Sequence, residues 1–363
     1  MRTPEAWREL ALRFGLELGF DLVGIAGVVP SARLAMFPQW IEAGCAGEMA
    51  YLARRSDDGA FLRERITSVW PWARSVLCAA VVYNTAQPPS TAFAASRDRG
   101  WISRYAWGED YHRSLRDQLE QWQRRLAAAA ADADEAGEFH ATVDTAPIVE
   151  REVAWRAGLG WQAKNTCLIH PQKGSYLFLG TIVTSIAMPP DPAPLPDRCG
   201  SCTRCLVACP TQALTPYHMD ASRCLAYLNI ELRGAIPEPM RQPMGNNLLG
   251  CDICQDVCPW NRRAPASSEP AFQPRPGLVA PRLAELAAMS EEDYRSLFRH
   301  SAVKRAKYTG LQRNIAIAMG NSGNPDFLPQ LQTWAAGADP VLAAHATWAM
   351  AHIKRSIEAQ TES

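Results

Sequence analysis

Cys199-Gly-Ser-Cys202-Thr-Arg-Cys205-Leu-Val-Ala-Cys209-Pro210, then Cys224, then Cys251-Asp-Ile-Cys254-Gln-Asp-Val-Cys258-Pro259, is the stretch around which the chain is organised. The first run is the C-x2-C-x2-C-x3-C-P spacing of two-cluster ferredoxins. The second repeats it with its first cysteine displaced, Cys224 standing across a long insertion from Cys251. A cubane cluster needs four thiolates converging from different directions. Two-residue gaps let three thiolates of one tight loop point inward, and the fourth, before proline, ligates the other cluster. This assigns Cys199, Cys202, Cys205 and Cys258 to one 4Fe–4S cluster, and Cys209, Cys224, Cys251 and Cys254 to a second. Zinc knuckles and disulfides are the alternatives. Zinc favours paired C-x2-C units without the trailing C-x3-C-P, and disulfides are rare in reducing compartments. Cys45, Cys78 and Cys167 are left over and read as buried structural thiols. Such a module moves single electrons; it does not say where they go.

Outward from this stretch, composition sets bounds. At 363 residues the chain holds two or three domains, and its formal net charge of zero means that any nucleic-acid contact must come from a local patch. Met1-Arg-Thr-Pro-Glu-Ala-Trp-Arg-Glu-Leu10 lacks the apolar core of a signal peptide, and no apolar run approaches a membrane span. A soluble, cytoplasmic protein with no membrane partner is expected.

On the N-terminal side, periodicity predicts helices over 4–18, 31–43, 108–132 and 148–157. Strands are predicted over 22–28, 75–83, 140–145 and 175–186. The alternation of the two predicts an α/β domain over 1–190. There is no dinucleotide-type GxGxxG and no Walker loop. The proline-rich linker Met188–Pro196 opens the cluster module, 191–265, and the proline-rich stretch from Arg263 to Pro281 closes it. The tail, 266–363, reads as helical, with two similar small-residue helices suggesting a short HEAT-like pair. The whole is an α+β multidomain protein. Between Tyr294 and Pro325 stand Arg295, Arg299, Lys304, Arg305, Lys307 and Arg313 with no Asp or Glu. A basic run is usually a solvated face. In a neutral protein on a helical scaffold it points to phosphate-backbone binding, through Arg299, Lys304, Arg305, Lys307 and Arg313.

Three runs carry most of the polar punctuation in the first domain: Ser103-Arg-Tyr-Ala-Trp-Gly-Glu-Asp-Tyr-His112, Asp144-Thr-Ala-Pro-Ile-Val-Glu-Arg151 and Gly158-Leu-Gly-Trp-Gln-Ala-Lys-Asn165. Taken singly, Asp144 reads as a turn former, Lys164-Asn165 as loop, and the first run as capping and core. Taken in order with the double cluster motif and Cys258-Pro-Trp-Asn261, they resemble the epoxyqueuosine reductase family over roughly residues 5–355. Asn247-Leu248 and Leu232 depart from the family pattern.

The resemblance implies cobalamin in the N-terminal domain, two 4Fe–4S clusters and a C-terminal repeat that holds tRNA. It implies reduction of the epoxide of epoxyqueuosine, at the tRNA wobble position, to the cyclopentene of queuosine. Asp144 matches the family's proton donor. Delivering a proton near neutrality calls for a carboxyl of raised pKa, the expectation for a partly desolvated group. Arg65, Ser103, Asp144, Lys164, Asn165 and Thr166 are the expected corrin contacts. A low-potential electron donor is required, and a monomer is the default. Two other classes fit parts of the pattern. A reductive dehalogenase-like cobalamin enzyme leaves the basic tail without a role. An iron–sulfur electron-transfer subunit leaves residues 1–188 as no more than a docking platform.

Overall fold

The computed structural model describes residues 2–192 and 194–361. Trp7, Ala11 and Gly15, four apart, form the buried stripe of α1 (Pro4–Glu17), whose first turn is capped by the Thr3 hydroxyl. There follow β1 (Leu22–Gly27), α2 (Phe37–Glu42), β2 (Ser75–Val82), β3 (Trp101–Ile102), α3 (Tyr111–Asp132), β4 (Phe139–Thr142) and α4 (Glu150–Arg156). A small hairpin of β5 (Trp161–Gln162) and β6 (Leu168–Ile169) precedes β7 (Leu177–Thr184). The predicted helix over 31–43 forms only as a 3-10 turn followed by the short α2.

The main sheet has the order β1-β2-β7-β4, and every pairing in it is antiparallel. This corrects the α/β expectation: the first region is α+β. A parallel pair needs a crossover connection that returns the chain to the same end of the sheet. The segment between β1 and β2 supplies only short helical turns, and sequence alternation alone does not fix strand direction. β2 is buried at every position because both faces of the sheet are covered. Leu77, Ala79 and Val81 meet Leu115, Leu119, Trp122 and Leu126 of α3. Val76, Cys78 and Ala80 face the other way, onto Val153 and Ala154 of α4 and Ala157 just after it. The period of two along a strand produces this division.

The cluster region carries α5 (Arg204–Ala208), the hairpin β8 (Leu214–Thr215) and β9 (His218–Met219), a π-helical turn over Tyr227–Glu231, α6 (Glu238–Arg241), β10 (Asn247–Leu249) and α7 (Ile253–Asp256). β10 pairs in parallel with β3. After β10, Gly250 has φ +67, and a Cβ there would meet the Ser103 Cβ at 2.5 Å, so only glycine lets the two segments approach. The tail is α8 (Leu283–Ala287), α9 (Glu291–Leu297), α10 (Lys307–Ser322), α11 (Leu328–Ala335) and α12 (Pro340–Thr361). One hydrophobic core joins Trp101, Ile102 and Trp107 to Leu248 and Leu249, and on to Leu311, Ile315, Met319, Ala346, Ala349 and Ile353 of the tail. The C-terminal helices therefore share a core with the 101–107 segment of the first region. No helix among the described residues is long and apolar enough to cross a membrane.

Candidate active site beneath a basic face

The thiols of the cluster segment feel one another through space. Burial pushes up the Cys205 thiol, which also feels Cys199 and Cys202. Cys258 is pushed up by burial to about 11 and feels Cys199 and Cys205. In the second set Cys251 is raised by burial and by Cys224, with Cys209 also near. Cys254 is raised by its contact with Cys167 and by burial, and feels Cys251 and Cys224. Among the described residues, no three His, Cys, Asp or Glu close on a single-ion site. Two N–H groups are aimed at sulfur. Ala213 donates to Cys209 Sγ at 3.4 Å. The buried Trp161 Nε1 finds no nitrogen or oxygen partner and stands in the small core that Cys199 and Cys258 share. Such N–H groups tune cluster potential.

Cys45 and Cys78 are buried as expected. Cys167 is not mere filling, because its thiol meets that of Cys254. The loop before it clamps the cluster loops. Lys164 Nζ donates to the carbonyls of Gly200 (2.5 Å) and Cys202 (3.1 Å). Asn165 Nδ2 donates to the Cys254 carbonyl at 3.3 Å. Thr166, at φ +64, accepts from Arg151 Nη1 at both its carbonyl (2.8 Å) and its hydroxyl (3.2 Å). Ser103 is buried and donates to Asp252, whose other carboxylate oxygen takes the Trp101 indole at 3.0 Å and the Arg104 amide at 2.8 Å. Ser103 thus ties the first region to the cluster segment and does not line an open surface. Arg65 is exposed and caps nothing with its side chain. It is the half-buried Arg63 that reaches inward, to the carbonyls of Tyr51 (3.2 Å) and Ala146 (3.4 Å).

Asp144 ends the β4 turn in the left-handed region, φ +56, a conformation that costs energy for a non-glycine residue and clusters at functional sites. Its amide donates to Glu150 Oε1 at 2.8 Å. Its side chain stays 60% exposed, so an incoming group can reach it. His112, in the first turn of α3, stands between two carboxylates: Nε2 to Asp144 Oδ2 at 3.1 Å and Nδ1 to Asp110 Oδ1 at 2.8 Å. Only a doubly protonated ring satisfies both acceptors. Burial alone would lower the imidazole, but the two hydrogen bonds outweigh it and push His112 up to about 9. The same bond holds Asp144 below the usual carboxylate range, against burial. This corrects the expectation of a raised Asp144. Desolvation is real there, but a charged partner is worth more. The raised carboxyl is its neighbour Glu150, pushed by burial to about 8. Sequence reading passed over His112, Glu150, Arg63 and Asp110. His112 and Asp110 lay inside a quoted motif, and the Asp-x-His spacing at a helix start was the available signal.

The basic run divides. Arg299, Lys304, Arg305 and Lys307 are exposed. Arg305 makes a two-pronged pair with Glu231, at 2.9 and 2.7 Å. Lys304 acts on Asp110, and Arg305 on Asp144, placing this run beside the Asp144 loop. The Asp110 amide also donates to the His300 carbonyl at 2.8 Å. Arg313 does not belong to this face. It is buried, and its guanidinium donates to the carbonyls of Leu228 (2.8 Å), Leu232 (2.9 Å) and Gly234 (2.7 Å). Arg313 thus satisfies one carbonyl of the π-helical turn and two of the segment that follows it.

Comparison with known proteins gives the family. Residues 198–261 match the 4Fe-4S double cluster binding domain, and residues 63–145 match the family described as epoxyqueuosine reductase QueG, DUF1730. The epoxyqueuosine reductase of Pseudomonas aeruginosa is 38% identical over 341 residues, covering 93% of this chain and 92% of its own. The crystal structure of selenomethionine-labelled epoxyqueuosine reductase superposes with a TM-score of 0.83 at 30% identity, over 95% of this chain and 90% of that one. Epoxyqueuosine reductase crystallised with an epoxyqueuosine-modified tRNA-Tyr stem loop gives 0.81 at 30% identity, over 95% and 89%. By sequence along nearly its whole length and by fold, the chain belongs to the epoxyqueuosine reductase family.

Proposed function

We propose that this protein reduces epoxyqueuosine to queuosine at the wobble position of tRNA, using cobalamin and two 4Fe–4S clusters. The observation that carries the reading is the meeting of three things at one place. An exposed proton-handling carboxylate, Asp144, lies beneath the basic run Arg299–Lys307. The same helix start, at Glu150 and Arg151, links it to the Thr166 loop that grips the second set of cysteines. RNA, proton and electron thus converge. The related enzyme bound to a modified tRNA stem loop supports tRNA as the substrate carrier.

The division of labour follows. Residues 1–190 form the catalytic domain, 191–265 the two-cluster module and 266–363 a HEAT-like helical domain that holds tRNA. The residues present fit both cofactors. Eight thiols, with the buried Trp161 indole N–H reaching that of Cys199, suit two cubanes. For the corrin, half-buried Arg63 has guanidinium N–H groups beyond those it gives to two carbonyls, and Tyr51 is 42% exposed. These donors suit a fringe of carboxamides. Arg63 and Tyr51 would donate to it, and Asn165 and Thr166, both buried, would support it only through the loop they hold. When bound, cobalamin supplies a strongly reducing centre and the clusters supply electrons singly.

The chain's own residues do the rest. Arg299, Lys304 and Lys307 attract the phosphate backbone. Asp144 hands a proton to the epoxide oxygen, a poor leaving group until protonated. Lys164 and Asn165 fix the cluster loops against the catalytic domain. Anaerobic reconstitution with iron, sulfide and cobalamin, followed by incubation with a reductant and epoxyqueuosine-modified stem loop, is the test. Product lacking one oxygen is expected by mass spectrometry. Fully loaded protein that leaves the substrate intact would sink the reading.

A further inference from the structure

Deoxygenating an epoxide to an alkene takes up two electrons and two protons and releases one water. Cleavage of the first C–O bond leaves an alkoxide, which one proton turns into a hydroxyl. Cleavage of the second expels that hydroxyl, and the other proton completes the water. The electrons come through the clusters of the proposed reaction. A single carboxyl carries one proton, so Asp144 has to be recharged within each turnover.

We propose that Asp110, His112 and Asp144 form a proton relay, in which the His112 imidazolium gives its Nε2 proton to Asp144, Asp144 passes it to the substrate oxygen, and His112 regains a proton from solvent. This rests on Asp144 being the proton donor of the proposed reaction. His112 is a positioning and proton-supplying residue, acting through Asp144.

The geometry is built for it. Asp110 caps α3, accepting both the His112 amide (3.1 Å) and the ring Nδ1 (2.8 Å), which fixes the imidazole. The ring is also held by Tyr111, 4.2 Å from it and near parallel. Tyr111 stacks in turn on Phe178, a β7 residue, at 4.3 Å. The other ring nitrogen is left pointing at Asp144 Oδ2. A side chain 33% exposed keeps His112 in reach of water. The charges around the pair are Lys304, acting on Asp110, and Arg63 and Arg305, acting on Asp144. Glu150 touches the Asp144 amide, and Tyr105 and Tyr111 lie behind. At neutral pH the proton rests on His112, pushed up to about 9, while Asp144 is held low. Transfer to Asp144 is uphill until an alkoxide draws the proton through, so the relay discharges only when substrate oxygen is ready.

The experiment is single-turnover conversion of the modified stem loop by the reconstituted holoenzyme between about pH 6 and about pH 9.5, with reduced methyl viologen, whose potential does not follow pH. Wild type should hold a flat rate until His112 deprotonates near 9. In His112→Gln, Asp144 must carry the proton unaided, so the rate should fall roughly tenfold per pH unit from about pH 6 upward. Asp110→Asn, which keeps the ring but removes a charge, should move the alkaline break to lower pH. A wild-type profile in His112→Gln, or a drop equal at every pH, overturns the relay, as does an unmoved break in Asp110→Asn. The Asp110→Asn profile decides the matter alone if His112→Gln does not load its cofactors. Near-wild-type rates in Asp144→Asn would instead remove Asp144 as donor, a separate failure.

Discussion

Two residues show how far the surroundings decide what a side chain does. Arg313 sits in a basic run, yet its charge is spent on backbone carbonyls, and burial lowers it to about 10. Replacing it by Met fills the volume but orphans the carbonyls of Leu228, Leu232 and Gly234. At 1–3 kcal/mol for each buried group left unsatisfied, the loss should be at least about 3 kcal/mol. Arg313→Met should therefore lower the thermal midpoint by several degrees, whereas Lys304→Ala should leave it unchanged; calorimetry on the loaded proteins checks both. His112 gives the second case. Its pKa rises from 6.5 in the unfolded chain to about 9 in the folded one. Its contribution to stability is thus fully present below 6.5 and lost as pH rises through about 9. Asp144 and Asp110, held low, contribute above the usual carboxylate range and lose that on acidification. Relative to His112→Gln, wild type should be more stable at pH 6 and should lose that margin near pH 9. Thermal midpoints of the two proteins, measured across that range, would show a constant difference if the pair did nothing.

At the scale of elements, the loop Lys164–Thr166 does work that no local pattern announced. Its residues read as turn filler because their partners, Gly200, Cys202 and Cys254, are remote in sequence. The double-cluster segment was legible because a cubane imposes its spacing on the chain directly. β2 was legible too, since full burial writes a continuous apolar run. Strand direction was not, and neither was the β3–β10 pair, whose two short strands carry no periodicity of their own. Asp144 was read from its motif, and its ionisation was misjudged because the partner that sets it, His112, lies on α3, remote in sequence. The loop yields a prediction at this scale. Lys164→Met removes a half-exposed cation beside the Cys199–Cys205 loop. That cluster should become harder to reduce by a few tens of millivolts, on the order of 1 kcal/mol for a one-electron couple. An EPR-monitored titration that finds both cluster potentials unmoved would assign Lys164 a purely mechanical role.

For the whole molecule, the question is how a chain of zero net charge holds a polyanion. Overall attraction is absent, so binding must be carried by a local patch; if that patch is the proposed run beside the Asp144 loop, each member should count separately. Arg305 is already paired with Glu231 and should add little, because its charge is largely compensated before RNA arrives. Arg299, Lys304 and Lys307 are exposed cations. If each neutralises one phosphate, each releases condensed counterion, and the slope of log affinity against log salt falls by about 0.7–0.9 when one is removed. The triple alanine variant should therefore bind tRNA with a slope shallower by roughly two to three, and more weakly at low salt. Its single-turnover rate at saturating RNA should change little, since none of the three touches Asp144. The effect should be alike for modified and unmodified stem loops, because phosphate contacts position the RNA and do not read the base. Filter binding across a salt series, with both stem loops, measures all of this. An unchanged slope would mean that the tRNA enters over another face, and the convergence of proton, electron and RNA at Asp144 would have to be sought there.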